Sequence, residues 1–263
     1  MLKLPSLKPH DIPPSGRHKR MEQPLHVAII GGGLAGCAAA CILAERGVQV
    51  TVYESEPVLG GRVSAWDDSL GDQEPFQMER GFHAFFRNYY NLRNLMRRFD
   101  PALSTLDPVP DYPIIGPKGD WESFAGLPKT TPFNLMALVK RTPTLGLRDL
   151  MKIPTWPTLE LLSYDQERTF ARYDQLSAGE LLDALNFPAE ARQLLFDVFA
   201  HSFFNPQYDM SAAEMIKMFH LYFTGNPEGL LFDVLNRPFS EAIWKPLASY
   251  LKDHGVDIKL KTP

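Results

Sequence analysis

Gly31-x-Gly33-x-x-Gly36, the acid Glu54 and the run Gly60-Gly61-Arg62 are the residues of this 263-residue chain whose types and spacing carry chemistry. That chemistry is the grip on a dinucleotide pyrophosphate. One glycine makes the tight turn, a second lets backbone approach the phosphates, and a third lets helix pack closely on strand. Gly32 completes the turn, and Leu34 and Ala35 open a helix whose unpaired N–H groups and positive dipole end would face the anion. Glu54 lies 18 residues past Gly36, close to the usual ~20, and its carboxylate is the candidate for the ribose hydroxyls, with Ser55 beside it. An acid there favours a free 2′-OH, so NADP is the least suited nucleotide. Gly60-Gly61 again lets backbone pass close to a ligand, and Arg62 adds a planar cation suited to phosphate.

The elements that must position these residues are legible around them. Leu25 to Ile30 is an apolar strand, the glycine turn follows, small residues predict a helix from Leu34, and Val48 to Tyr53 reads as a second strand ending at Glu54. Two other readings exist. A glycine-rich turn can sit in an α/β protein and bind nothing. Gln23 to Ala44 also carries no charged residue, as a membrane span would. Three consecutive glycines in its middle, each about 1 kcal/mol worse than alanine in a helix, exclude the span.

A net charge of −4 gives no reason to expect nucleic acid. No Ser-His-Asp set, zinc-spaced Cys/His cluster or P-loop is present, so hydrolysis, metal catalysis and NTP chemistry have no support and no metal is expected. Cys37 and Cys41, four apart in the first helix, read as small buried fillers in a reducing compartment. Residues 1–24 hold five Lys/Arg, several prolines and no apolar stretch. They read as a disordered tail and not a secretory signal, with an organelle leader or attraction to an anionic membrane surface as the other readings.

Further along, Leu92, Leu95, Met96 and Phe99 are spaced for an amphipathic helix, with Arg93, Arg97 and Arg98 on a solvated face. Tyr112–Ile115 and Trp121–Phe124 predict a hairpin around a Gly-Pro-Lys-Gly type I turn. Thr131-Pro132 predicts a helix start, and Pro188 to His201 a further helix. Ser177-Ala-Gly-Glu180 and Ser211-Ala-Ala-Glu214 both predict capping boxes. The Met and aromatic stripe from Phe196 to Phe223 reads first as core, and second as the wall of an apolar tunnel. Pro246 opens a helix that Gly255 stops, and Val256, Ile258 and Leu260 alternate as a strand.

With these motifs in order, the chain resembles the flavin-dependent amine oxidase and carotenoid desaturase superfamily. Gly31, Gly33, Gly36, Glu54, Gly60, Gly61 and Arg62 match its FAD-holding pattern position by position. Gly81-Phe-His-Ala-Phe-Phe-Arg-Asn-Tyr-Tyr-Asn-Leu-Arg93 resembles the corresponding stretch of isorenieratene-synthase-like desaturases. The resemblance implies an α/β fold: a Rossmann-like FAD-binding domain with a parallel sheet, plus an inserted, mainly helical substrate domain. It divides the chain into the tail 1–24, a first part of the FAD domain at 25–108, the substrate domain at 109–239 and a return helix and strand at 240–263. It places Gly81 and His83 near the flavin; the other reading of His83 is a core histidine satisfied by backbone.

The resemblance covers the N-terminal half of such a protein. It implies FAD as cofactor and dehydrogenation of C–C to C=C in a carotenoid-like polyene or its end ring, by hydride transfer to flavin. It further implies a quinone or oxygen as acceptor, and a cytoplasmic or peripheral membrane location on an internal membrane. Two other readings stand: an amine-oxidase-like enzyme on a small substrate, and a non-catalytic fragment or half of a split enzyme that needs a C-terminal partner chain.

Overall fold

The structure is a computed structural model that describes residues 25–115, 119, 121–128, 133–141, 164–187, 189–192, 200, 205–225 and 228–263. The tail, Gly116–Lys118 of the type I turn, Thr131-Pro132 and most of Phe196–Phe204 lie outside the described residues. Two compact units form, one from residues 109–231 and one that joins 25–108 to 232–263.

In the second unit the sequence pattern builds a strand–helix–strand. β1 (His26–Ile30) and β2 (Gln49–Tyr53) are rich in β-branched residues and pair in parallel, His26 opposite Gln49. α1 (Leu34–Ala44) connects them, and Gly47 at φ +80° makes the left-handed turn after it. β3 (Ala65–Asp68) and β4 (Phe76–Glu79) form an antiparallel hairpin. β5 (Phe85–Phe86), the short helix α2 (Tyr90–Met96) and β6 (Leu106–Pro108) follow.

The other unit contains the expected hairpin in shortened form, β7 (Ile114–Ile115) against β8 (Trp121–Glu122), with Tyr112 stacked on Phe124. Helices Phe133–Arg141, Gln166–Tyr173, Ala178–Ala184, Ala189–Arg192 and Ala212–Phe219 follow among its described residues. Ser177 and Glu180 form a full capping box. Ser211 does not. Its hydroxyl accepts from Ala213 N and donates to Asp174, while Glu214 turns to Lys217. The S-x-x-E pattern permits the box, but nearer partners take both side chains. Met210, Met215, Tyr222 and Phe223 of the predicted stripe are buried.

β9 (Phe232–Leu235), a strand with no signal in the sequence reading, returns the chain to the second unit and pairs antiparallel with both β5 and β6. A five-residue π-turn, Ser240–Trp244, leads into the return helix Lys245–Asp253, and Gly255 at φ +79° releases it into β10 (Asp257–Lys259). β10 pairs in parallel with β2, so the sheet order is β1-β2-β10. Met96, Cys37, Cys41, Leu247 and Leu251 are fully buried together in the core against one face of this sheet. Burial pushes both cysteine thiols up to about 12, which makes them inert fillers.

The arginines of α2 and the turn after it correct the expectation of a solvated face. Arg93 and Arg87 both clamp Asp233, which is 3% exposed, at 2.7 and 3.1 Å. Arg98 donates twice to Glu45, at 2.5 and 3.1 Å, and Tyr250 adds a third bond to the same carboxylate at 2.8 Å. Arg97 is exposed. Helical spacing shows which residues lie opposite an apolar stripe, but not that an acid 53 or 140 positions away meets them.

The Glu45–Arg98–Tyr250 group ties α1, α2 and the return helix into one body. Burial by itself would raise the Glu45 carboxyl, but the Arg98 and Tyr250 hydrogen bonds outweigh it and hold it below the ordinary carboxylate range. Removing one charge of a buried pair strands the other, which costs about 3–5 kcal/mol. Glu45→Gln should therefore lower unfolding free energy by about that amount in urea titration; a loss below about 1 kcal/mol contradicts the assignment.

Candidate nucleotide-binding site

Gly31 follows β1 at φ +97°, and its N–H donates to Tyr53 C=O at 2.7 Å, so the turn starts bonded to the end of β2. Gly33 stands in extended backbone at the head of α1, with no side-chain cap and no acid in the first turn. The first N–H groups of the helix, beside exposed Leu34 and Ala35, are therefore left for an external acceptor. Gly36 packs so tightly that a Cβ on it would stand 2.0 Å from the Gly31 carbonyl oxygen. On Gly33 a Cβ would meet the Gly60 oxygen and Gly61 Cα at an ordinary 4.0 Å. Here the free space is what matters.

The Gly32 peptide is held from several sides. Its N–H donates to Glu54 Oε2 at 2.6 Å, and its carbonyl accepts from Gly60 N at 2.9 Å and from Cys37 Sγ at 3.3 Å. Leu59 fills the place a Gly32 side chain would need. Glu54 is buried, and its Oε1 accepts from Ser55 Oγ and Glu56 N. Burial would raise this carboxyl, but the Glu56 and Gly32 N–H groups and the Ser55 hydroxyl outweigh burial and hold it below the ordinary range. An ionised carboxylate offers about four lone-pair sites, so three donors leave room for a ligand hydroxyl.

Gly60 and Gly61, at φ +123° and +57°, take left-handed backbone that suits glycine, and Gly60 bridges in parallel to Gly33. The chain from Gly61 to Val63 then makes one 3₁₀ turn that leaves Arg62 exposed. The glycine loop, helix head, Glu54 and Gly60–Arg62 thus meet in one cradle whose donor set and open glycine faces fit a pyrophosphate with an attached ribose. Gly81 is on an exposed bend at φ +117°. The ring of His83 packs edge-on to Phe239 at 5.0 Å, and its Nε2 is buried with no hydrogen-bond partner among the described residues. Among the described residues no backbone group satisfies this ring nitrogen, where one reading of His83 expected one. No group of His, Cys, Asp and Glu among the described residues is arranged to hold a metal.

A family model described as an NAD(P)-binding Rossmann-like domain matches residues 29–99, the stretch from β1 through α2. The carotenoid phi-ring synthase of Streptomyces griseus is 49% identical over 250 residues, covering 95% of this chain and 48% of that protein. Over nearly its whole length the chain is similar to carotenoid-forming enzymes. A probable zeta-carotene desaturase of Synechococcus elongatus is 28% identical over 245 residues, covering 90% of this chain and 50% of that protein. Among solved structures, an engineered putrescine oxidase aligns at a TM-score of 0.58 with 22% identity, over 92% of this chain and 52% of that one. That likeness shows the fold. The chain spans about half the length of the curated relatives it matches.

Leu59, the Cys37 thiol and Trp244 also hold the cradle, and sequence reasoning missed them. Their types carry no chemical signal, and their contacts appear once the chain is folded. The two kinds of glycine give opposite outcomes on substitution. Gly33→Val should leave a folded protein that binds no dinucleotide, whereas Gly36→Ala should disrupt the packing of α1 on β1 and lower the melting temperature. Flavin content and circular dichroism of both variants check this; Gly33→Val with normal flavin contradicts it.

Proposed function

We propose that this chain is the nucleotide-binding half of an FAD-dependent oxidoreductase that dehydrogenates C–C to C=C in a carotenoid-like polyene or its end ring. The observation that carries the reading is the assembled cradle, with glycine loop, helix head and Glu54 in contact with a second, Gly60–Arg62 turn. A nicotinamide dehydrogenase has no need of that second turn. The relatives' names, a phi-ring synthase and carotene desaturases, support an apolar polyene as substrate.

In this reading Gly31, Gly32, Gly33, Leu34, Ala35 and Gly36 bind the pyrophosphate through main chain, and Gly60, Gly61 and Arg62 close on it from the opposite side. Glu54 takes the adenosine ribose, with Ser55 fixing one carboxylate oxygen. FAD, when bound, supplies the ring that accepts a hydride, so the protein's tasks are to position substrate and exclude water. Gly81 and His83 line the redox side, where the unpaired His83 Nε2 is available to a ligand. The substrate domain expected at 109–239 is shorter, residues 109–231, because Phe232–Leu235 pairs with β5 and β6 of the other unit. Among the described residues no helix is long and apolar enough to cross a membrane.

A second observation favours a further strand on this sheet. β1 pairs with β2 alone among the described strands, although the first strand of a Rossmann sheet is an internal one. Leu25 C=O and Gly31 N–H bond to β2, so the odd residues serve that pairing and His26, Ala28 and Ile30 turn their main-chain groups to the open edge. Ile30 is 84% exposed on the sheet face beside it. We infer that a strand from the half present in the relatives and not matched here covers this edge.

Four outcomes test the reading. Glu54→Ala should weaken FAD by about 1–3 kcal/mol in a binding titration. Because the Glu54 carboxyl is lowered on folding, its contribution is present above about pH 4.3 and is lost as pH falls through the folded value, so cofactor retention should fail on the acid side. Co-expression with the unmatched half of the Streptomyces griseus synthase should give a complex that binds FAD and dehydrogenates a carotene. Ala28→Pro should leave this chain folded but prevent that complex, since proline removes an outward N–H. A complex that holds FAD, releases peroxide from amines and changes no carotene would turn the assignment to an amine oxidase.

A further inference from the structure

Trp244 ends the π-turn Ser240–Trp244 and is 5% exposed. A buried indole needs a partner for its N–H. Here Nε1 donates at 2.7 Å to the carbonyl of Val63, 181 residues earlier in the chain. Val63 closes the 3₁₀ turn Gly61–Val63, whose internal bonds, Val63 N to Gly60 O and Ser64 N to Gly61 O, leave the last carbonyl without a partner in the turn. Trp244 supplies that partner. The ring also lies against the other end of the same turn, since a Cβ on Gly60 would stand 2.7 Å from Nε1 and 2.8 Å from Cε2.

The far side of the indole leads to the other wall of the cradle. Trp244 runs directly into the return helix Lys245–Asp253, whose Leu247 and Leu251 are fully buried in one cluster with Cys37 and Cys41 of α1. The π-turn is itself pinned to the β3–β4 hairpin, because Phe239 N donates to Glu79 and Ser240 Oγ to Gln77, each at 2.8 Å. π-turns are rare and cluster at functional sites. This one aims a rigid, two-ended side chain at the Gly60–Val63 turn and connects it to the body that carries the glycine loop.

We infer that Trp244 is the positioning residue of the phosphate-side turn. Its indole N–H and ring edge hold Gly60–Arg62 against Gly33 at the separation a pyrophosphate requires. The inference rests on the dinucleotide reading above. Trp244 touches no nucleotide in it and acts through Val63 and Gly60, so its effect should follow the phosphates and spare the adenosine.

The test compares ADP with adenosine, titrated calorimetrically into the wild-type chain and into Trp244→Phe, which keeps an aromatic ring and loses the N–H. Loss of one such hydrogen bond should raise the ADP Kd about tenfold and leave adenosine affinity unchanged. A purely structural tryptophan would lower the melting temperature while moving both ligands together or neither, and that result overturns the inference alone. A wild-type chain that binds neither ligand overturns the dinucleotide reading and this inference with it. If Trp244→Phe does not fold, the indole N–H resonances of the wild type decide, assigned by elimination with Trp66→Phe, Trp121→Phe and Trp156→Phe. The Trp244 signal should move on ADP addition and stay in place with adenosine; equal response to both, or to neither, overturns the proposal.

Discussion

The site depends first on how one peptide unit is held. Gly32 gives its N–H to Glu54 and receives the N–H of Gly60 on its carbonyl, so the end of β2, the glycine turn and the second loop converge on a single residue. Its lack of a side chain is as important as its bonds. Leu59 and Glu54 occupy the space where one would stand, and that occupation brings Gly60 into bridging contact with Gly33. Glu54 thereby has two tasks. It organises the turn with one oxygen while retaining acceptor capacity for a ligand. The same carboxylate that marks the motif in sequence is also a structural fastener.

The surroundings make that geometry rigid. α1 is a helix of small residues, so the sheet and the return helix approach it closely, and two inert cysteines fill the gap. The buried Glu45–Arg98–Tyr250 group then fixes the rotation of three helical segments at once. A charged group so deeply buried is a weak source of net stability, but it is costly to disturb, and a fixed orientation of α1 is what the helix head needs. Asp233 does the same for the antiparallel sheet by holding Arg87 and Arg93 together.

Much of this was legible in the sequence, for physical reasons. Gly31, Gly33, Gly36 and Glu54 are readable because each position has steric or acceptor demands that few residue types meet, and the return strand is readable because Val256, Ile258 and Leu260 alternate. What escaped reading depended on distant partners. Arg98 and Arg93 looked like solvent-facing charge until Glu45 and Asp233 arrived from elsewhere in the chain. β9 is too short for periodicity to mark it. Ser211 carries a box pattern that its folded neighbours override. The type of Trp244 carries no chemical signal, and its indole N–H has meaning only against Val63. His83 was singled out by resemblance; the structure adds an orphaned Nε2.

The proposed cradle is a grip on the adenosine diphosphate portion of a cofactor, and all its residues lie within this chain. Flavin selectivity tests that claim most directly. The purified chain is titrated with FAD and with FMN, which carries the same ring but no adenosine diphosphate, while the flavin absorption spectrum is followed. A dinucleotide grip should give a shifted spectrum and saturable binding with FAD, and no binding with FMN. Binding of FMN as well as FAD would show that the ring and not the dinucleotide is held, and would contradict the account, as would a chain that takes up neither.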